Sequence, residues 1–136
     1  MEHPSLDLKE RTKKFALRVM RVVRSLPPGL EGRTIGKQLL RSGTSVAANY
    51  RAVCRARSRA EFLSKLAVVV EEADETAFWL ELLSDAGLIP GPRLKDVRSE
   101  ANQIVAIFNA SRATAKKGSH STINNQKSTI AEKRAS

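Results

Sequence analysis

SRAEFLSKLAVVVEEADETAFWLELLS, Ser58 to Ser84, is the stretch whose periodicity decides the fold. Phe62, Leu66, Val69, Ala73, Thr76, Leu80 and Leu83 recur in steps of three and four, which aligns side chains along one face of an α-helix. Leu63, Val70 and Ala77 widen that stripe enough for a bundle core. Ser58-Arg59-Ala60-Glu61 opens the segment as a capping box, in which Ser58 can bind the Glu61 amide and Glu61 can reach back. Gly87 is a natural C-terminal cap, and Pro90-Gly91-Pro92 turns the chain into the next segment.

The pattern repeats on both sides. A first helix is expected from about Leu6 to Leu26, with Ser5 as N-cap and Leu8, Phe15, Val19, Val22 and Leu26 as its apolar face. Thr12 fills the missing turn, and Pro27-Pro28-Gly29 ends the helix. A second runs from about Leu30 to Arg57 on a heptad seam of Ile35, Leu39, Ser42, Val46, Asn49, Val53 and Ala56. Gly43, Ser45, Ala47, Ala48 and Ala52 let a neighbouring helix approach it closely. Without a break at Ser58, residues 30–84 would form one helix of about 80 Å. A fourth, from about Pro92 to Lys116, carries Leu94, Val97, Ala101, Ile104 and Phe108. The expected fold is an all-α, antiparallel up-down four-helix bundle over residues 1–116, followed by a basic, polar tail over 117–136 that is expected to be disordered.

Composition agrees. In 136 residues the aromatic share is 4% of the chain against 41% hydrophobic, so aliphatic residues and alanine must do most of the packing. No apolar run reaches about 18 residues, so no membrane span is expected. The N-terminal MEHPSLDLKERTKK lacks a hydrophobic signal-peptide core, and the single Cys54 cannot form an internal disulfide. Both features point to a cytoplasmic setting, with Cys54 expected to be a small apolar helix residue.

The acidic run Glu71-Glu72-Ala73-Asp74-Glu75 is the one candidate for metal-dependent chemistry, because helical spacing puts Glu72 and Glu75 on one face. It copies the EExxE half of the carboxylate signature of all-α nucleotide pyrophosphohydrolases, but no ExxD follows in Glu81, Asp85, Asp96 and Glu100. His3 and His120 lie near the termini, so neither a Glu-x-x-His metal centre nor a histidine-dependent ribonuclease site is supported. The expectation is therefore no catalytic residue, no metal and no cofactor. If helices two and three run antiparallel about Ser58, residue numbers summing to about 116 lie level. Arg41 then neighbours Glu75 and Ser45 neighbours Glu71, giving a structural ion-pair cluster with Glu72. Ser42 and Asn49 read as a buried hydrogen-bonding pair that fixes register. Trp79 lies off the core stripe with Val68 and Leu82 and, joined by Tyr50, is a candidate subunit interface.

The net charge of +10 is distributed unevenly. Residues 1–26 carry +4, 27–57 carry +5, 58–84 carry −4, 85–116 carry +2 and 117–136 carry +3. Arg11, Lys14, Arg18 and Arg21 recur at helical spacing on helix one with Arg24 nearby, and helix two adds Arg51, Arg55 and Arg57. Asp7 and Glu10 stand four residues before Arg11 and Lys14, which suits local ion pairs. Arg18, Arg21, Arg24, Arg51 and Arg55 have no carboxylate three or four residues away, and arginine binds phosphate in a bidentate way. These eight cations are the candidate contacts for RNA or DNA. With no helix-turn-helix, zinc knuckle or aromatic platform, sequence-specific readout is not expected.

Gln38 to Asn49 (QLLRSGTSVAAN), the Ser58-Arg59 turn leading to Phe62, and Glu72 to Leu83 (EADETAFWLELL) resemble the bacterial four-helix-bundle family named for 23S ribosomal-RNA intervening sequences. The resemblance spans roughly Leu8 to Phe108. Many members carry a glutamate after the Asn-Tyr-Arg triplet, where this chain has Ala52. The resemblance implies a homopentamer of bundles. It also implies likeness to the accessory variability protein of diversity-generating retroelements, a basic barrel that binds reverse transcriptase and nucleic acid. The family's link to ribosomal RNA is one of gene location. Two functions follow as expectations: a non-enzymatic oligomer that binds structured RNA or DNA, or a protein–protein scaffold whose charge serves an acidic partner.

Overall fold

The computed structural model describes residues 4–130, with side-chain surroundings for residues 7–118. Four helices are present, α1 (Pro4–Arg24), α2 (Leu30–Cys54), α3 (Arg59–Asp85) and α4 (Gly91–Ile130), and no strand occurs among the described residues. Consecutive helices pack on one another, and α1 also touches α4. None of the helices is long and apolar enough to cross a membrane.

The breaks have local causes. Ser25 and Leu26 cap the end of α1 through amides bound to the Val22 and Val23 carbonyls, after which two prolines remove the donors a further turn needs. Gly29 then takes φ 135°, a backbone conformation that L side chains rarely adopt. At the α2–α3 break the Ser58 hydroxyl accepts from the Glu61 amide at 3.0 Å, while the Glu61 carboxylate accepts from the Arg57 amide at 2.7 Å. The box thus closes one residue earlier on its return side than the sequence suggests, and α2 ends at Cys54 instead of Arg57. Helical backbone in α4 runs to Ile130, past the expected end at Lys116, through a polar stretch that contains Gly118 but no proline. Residues 131–136 lie outside the described residues.

The core is mostly aliphatic, with Leu39, Leu66, Leu80 and Leu94 fully buried beside Phe15 and Phe108. Thr12 is 1% exposed yet satisfied, because its hydroxyl donates to the Leu8 carbonyl at 2.8 Å. Helices α1 and α2 approach closely at Gly43, where an added Cβ would stand 2.7 Å from Val19 Cγ1.

Candidate nucleic-acid interface

Arginine on a helix surface can pair with a carboxylate nearby or stand free for an external anion, and the structure sorts the cations by that choice. Arg11 is committed. Its Nε donates to Glu100 Oε2 at 2.7 Å, and its Nη2 donates to Glu100 Oε1 at 3.0 Å and to Gln103 Oε1 at 2.9 Å. The Glu100 carboxylate raises the Arg11 pKa above its usual range, chiefly by accepting those hydrogen bonds. The partner is therefore on α4, not the Asp7 of the same helix. Arg57 is exposed, with Nε 3.7 Å from Glu61.

Lys14, Arg18, Arg21, Arg24, Arg51 and Arg55 form no ion pair among the described residues. They fall on two surfaces. Lys14, Arg18 and Arg21 continue from Arg11 in steps of three and four, so they share the flank of α1 that faces α4 at Arg11. Arg51 and Arg55 share a stripe of α2 with Arg33, Lys37, Leu40 and Thr44, and Arg24 belongs with Lys13, Leu17 and Met20 on the other flank of α1. The second surface also exposes apolar side chains, Leu17 at 45%, Leu30 at 73% and Leu40 at 38%. Helical spacing alone does not separate these cations into two surfaces. A signal was present in Leu17 and Leu40, which fall off the core stripes of their helices.

The carboxylates of α3 divide in the same way. Arg41 Nη2 donates to Glu75 Oε2 at 2.6 Å, and Nη1 lies 3.2 Å from Glu72 Oε1. Glu75 also accepts the Trp79 indole N–H at 3.0 Å. That bond, seconded by Arg41, holds the Glu75 carboxyl below its ordinary value, and the Arg41 pKa is raised by Glu75 first and Glu72 second. Glu72 and Glu75 are thus bridged by one guanidinium. Glu71 is not part of the cluster: it is exposed and forms no ion pair among the described residues. Asp74, Glu81 and Asp85 are exposed and equally unpaired among them. No group of three or more His, Cys, Asp or Glu side chains able to hold a metal ion occurs among the described residues.

Three placements differ from expectation. Ser42 pairs with Thr76, the hydroxyl oxygens 2.9 Å apart, while Asn49 donates to the Ser45 carbonyl one turn back at 2.9 Å. Seven residues separate Ser42 from Asn49, about 10 Å along the helix, too far for one hydrogen bond. Tyr50, expected at a subunit interface, belongs to the core of the bundle. It is 6% exposed and packs on Phe108 with centroids 5.1 Å apart, and burial, seconded by a hydrogen bond to Cys54, pushes its hydroxyl pKa well up. Cys54 itself is exposed, one turn from Tyr50 at the end of α2. Of the remaining interface candidates, Val68 is 38% exposed, whereas Trp79 and Leu82 are half-buried. The most exposed aromatic is Phe78, at 50%, set edge-on against Trp79 at 5.0 Å. Core periodicity alone does not single out Phe78. The cue was adjacency, since neighbouring helix positions point about 100° apart and only one of Phe78 and Trp79 can turn inward.

The chain matches the family model described as 23S rRNA-intervening sequence protein over residues 4–110. It is similar to a crystal structure of a protein of unknown function from the S23 ribosomal protein family of Bacteroides thetaiotaomicron VPI-5482. Identity is 30%, the TM-score is 0.69, and the match covers 76% of this chain and 96% of that one. No curated protein matches the chain.

Proposed function

Because the chain belongs to the 23S rRNA-intervening sequence protein family, we propose that it is a non-enzymatic bundle protein that binds structured RNA or DNA by phosphate contact and works as a homo-oligomer. The observation that carries this reading is the free stripe of Lys14, Arg18 and Arg21 on α1, with no carboxylate paired to it among the described residues. Unpaired arginines are available for bidentate contact with phosphate without first breaking an internal ion pair. The bundle is read as antiparallel up-down, which the short connections and the level pairs Arg41–Glu75 and Ser42–Thr76 support. The number of subunits is taken as five on the family resemblance, and the setting as cytoplasmic. The absence of catalysis is part of the proposal and is supported by the occupation of Glu72 and Glu75 by Arg41.

Contact of this kind releases condensed counterions, so affinity should fall with salt at a log–log slope of about −0.9 per phosphate on duplex and about −0.7 on single strands. Titration of a structured RNA at several salt concentrations tests it. Arg18→Glu with Arg21→Glu should flatten the slope while helicity and assembly stay intact, and changes of RNA sequence should matter little. Lack of any binding to RNA or DNA near 50 mM salt, where phosphate contacts are strongest, would replace this reading with the protein scaffold.

A further inference from the structure

Resting on the homo-oligomer reading, we propose that copies of this chain associate through unlike faces, with the Phe78 ridge of α3 on one copy seated in the apolar cleft between α1 and α2 of the next. The cleft encloses about 310 Å³. Its walls include Val23, Leu26, Pro27 and Leu40, and two positions of its α2 side, Gly32 and Gly36, carry no side chain. Its only charged lining residues are Arg33 and Lys37, both exposed and neither ion-paired among the described residues. A phosphate backbone would use the two cations and leave the apolar wall in water. An occupant that matches the whole cleft is an apolar side chain flanked by carboxylates.

The chain presents that occupant itself. Phe78 is 50% exposed, and Asp74 and Glu81 stand four residues before and three after it on the same face, exposed and unpaired among the described residues. The edge-on contact with Trp79 helps fix the Phe78 ring before docking, which lowers the ordering entropy that association costs. Seating Phe78 between Leu26 and Leu40 brings Asp74 and Glu81 toward Arg33 and Lys37. Apolar burial then supplies the affinity, and the charges supply register and encounter rate. Where each copy uses its Phe78 face on one neighbour and its cleft on another, the contact is heterologous and generates a ring or a filament.

Light scattering after size-exclusion chromatography, at fixed protein concentration and salt, tests the docking with two variants. Phe78→Asp removes the ridge and Leu40→Asp spoils the cleft, and each alone should run at the monomer mass of 15.0 kDa. Mixed in equal amounts they retain one good ridge and one good cleft between them. The mixture should therefore form a dimer of twice that mass and nothing larger. Arg33→Glu with Lys37→Glu, on exposed positions where folding is not at stake, should weaken assembly at least tenfold in midpoint concentration. A monomeric wild type overturns the homo-oligomer reading and this inference with it. An assembled wild type whose Phe78→Asp variant assembles equally well overturns this inference alone, as does a mixture that stays monomeric.

Discussion

Gly43→Ala is the sharpest test of how α1 and α2 meet. The substitution has two opposed effects. Gly43 lies in the interior of α2, so alanine should gain about 0.5–1 kcal/mol from the reduced backbone entropy of the unfolded chain. Against that, the new Cβ would stand 2.7 and 2.9 Å from the two Val19 methyls and 3.0 Å from Val19 Cβ. Val19 is fully buried and β-branched, with one strongly preferred χ1 in a helix, and its Cβ cannot rotate away. The helices must separate by several tenths of an ångström, and overpacking of this kind costs about 1–3 kcal/mol. With backbone-attached atoms in the way, the upper part of that range applies, leaving a net loss of about 2 kcal/mol. Urea unfolding followed by helical circular dichroism, at a protein concentration low enough that wild type and variants are all monomeric, measures it, since assembly would otherwise move the midpoint. Gly36→Ala is the control. Its nearest neighbour is Leu26 Cδ1 at 3.0 Å, the far end of a flexible side chain, so the propensity gain should nearly offset the contact. Val19→Ala should also lose less in the Gly43→Ala background than alone, by about 1 kcal/mol or more, because the two changes share one space. A Gly43→Ala protein more stable than wild type by the full propensity gain would refute the close approach.

Two further predictions separate the cations and test the carboxylate cluster. Arg11→Met should cost about 1 kcal/mol of stability, the upper end for a partly exposed but bidentate pair, and leave the RNA salt slope unchanged, whereas Arg18→Met should do the reverse and flatten the slope by roughly 0.7–0.9. Equal effects of both on the slope would show that Arg11 leaves Glu100 to bind phosphate. The Glu75 carboxyl is held below its ordinary value near 4.5, so the stability it contributes is present above that value and lost as pH falls through its lower folded value. Urea midpoints measured from neutral pH down through this range should fall less steeply in Glu75→Gln than in wild type, and Trp79 fluorescence should change over the same interval. Identical pH profiles would remove Glu75 from the ion-pair account.

The fold was legible because helix periodicity and helix-ending chemistry agree along the chain. The stripe Phe62 to Leu83 and the Ser58 cap place α3 without any tertiary information. The rule that level residues sum to about 116 leads from sequence to the Arg41–Glu75 contact, because a short connection fixes the offset between two helices. What escaped depends on contacts beyond the connection. Nothing in helix one signals that Arg11 reaches Glu100, 89 positions away, since register between the first and last helices is set by the whole bundle. Tyr50 illustrates another limit. Its amphipathic side chain suits an interface or a core equally, and only the position of Phe108 decides for the core. Ser42 and Asn49 failed as a pair because a shared heptad seam says which way side chains face and not how far apart they lie.

The segregation of charge around the bundle argues that binding a polyanion and self-association are parts of one design. Binding to nucleic acid alone would favour few exposed carboxylates, because each repels phosphate within a Debye length of about 8–10 Å. This chain keeps Glu71, Asp74, Glu81 and Asp85 exposed on α3, around the exposed Phe78. Arg41 pairs with both Glu72 and Glu75 within the subunit, its single charge offsetting one of their two, so α3 is not short of internal partners by default. The remaining acids form no ion pair among the described residues, although Asp74 and Glu81 line a groove with Arg98 of α4, and Arg33 and Lys37 are unpaired in the same sense. Docking one against the other would withdraw Asp74 and Glu81 from the surface and leave Lys14, Arg18 and Arg21, on the α4-facing flank of α1, free. An assembly built in this way exposes a more basic surface than its isolated subunit and repeats the stripe in each copy, raising avidity without any new phosphate contact per subunit. Phe78→Asp would then weaken RNA binding although Phe78 touches no phosphate, and it would do so by reducing the number of stripes that one RNA meets at once.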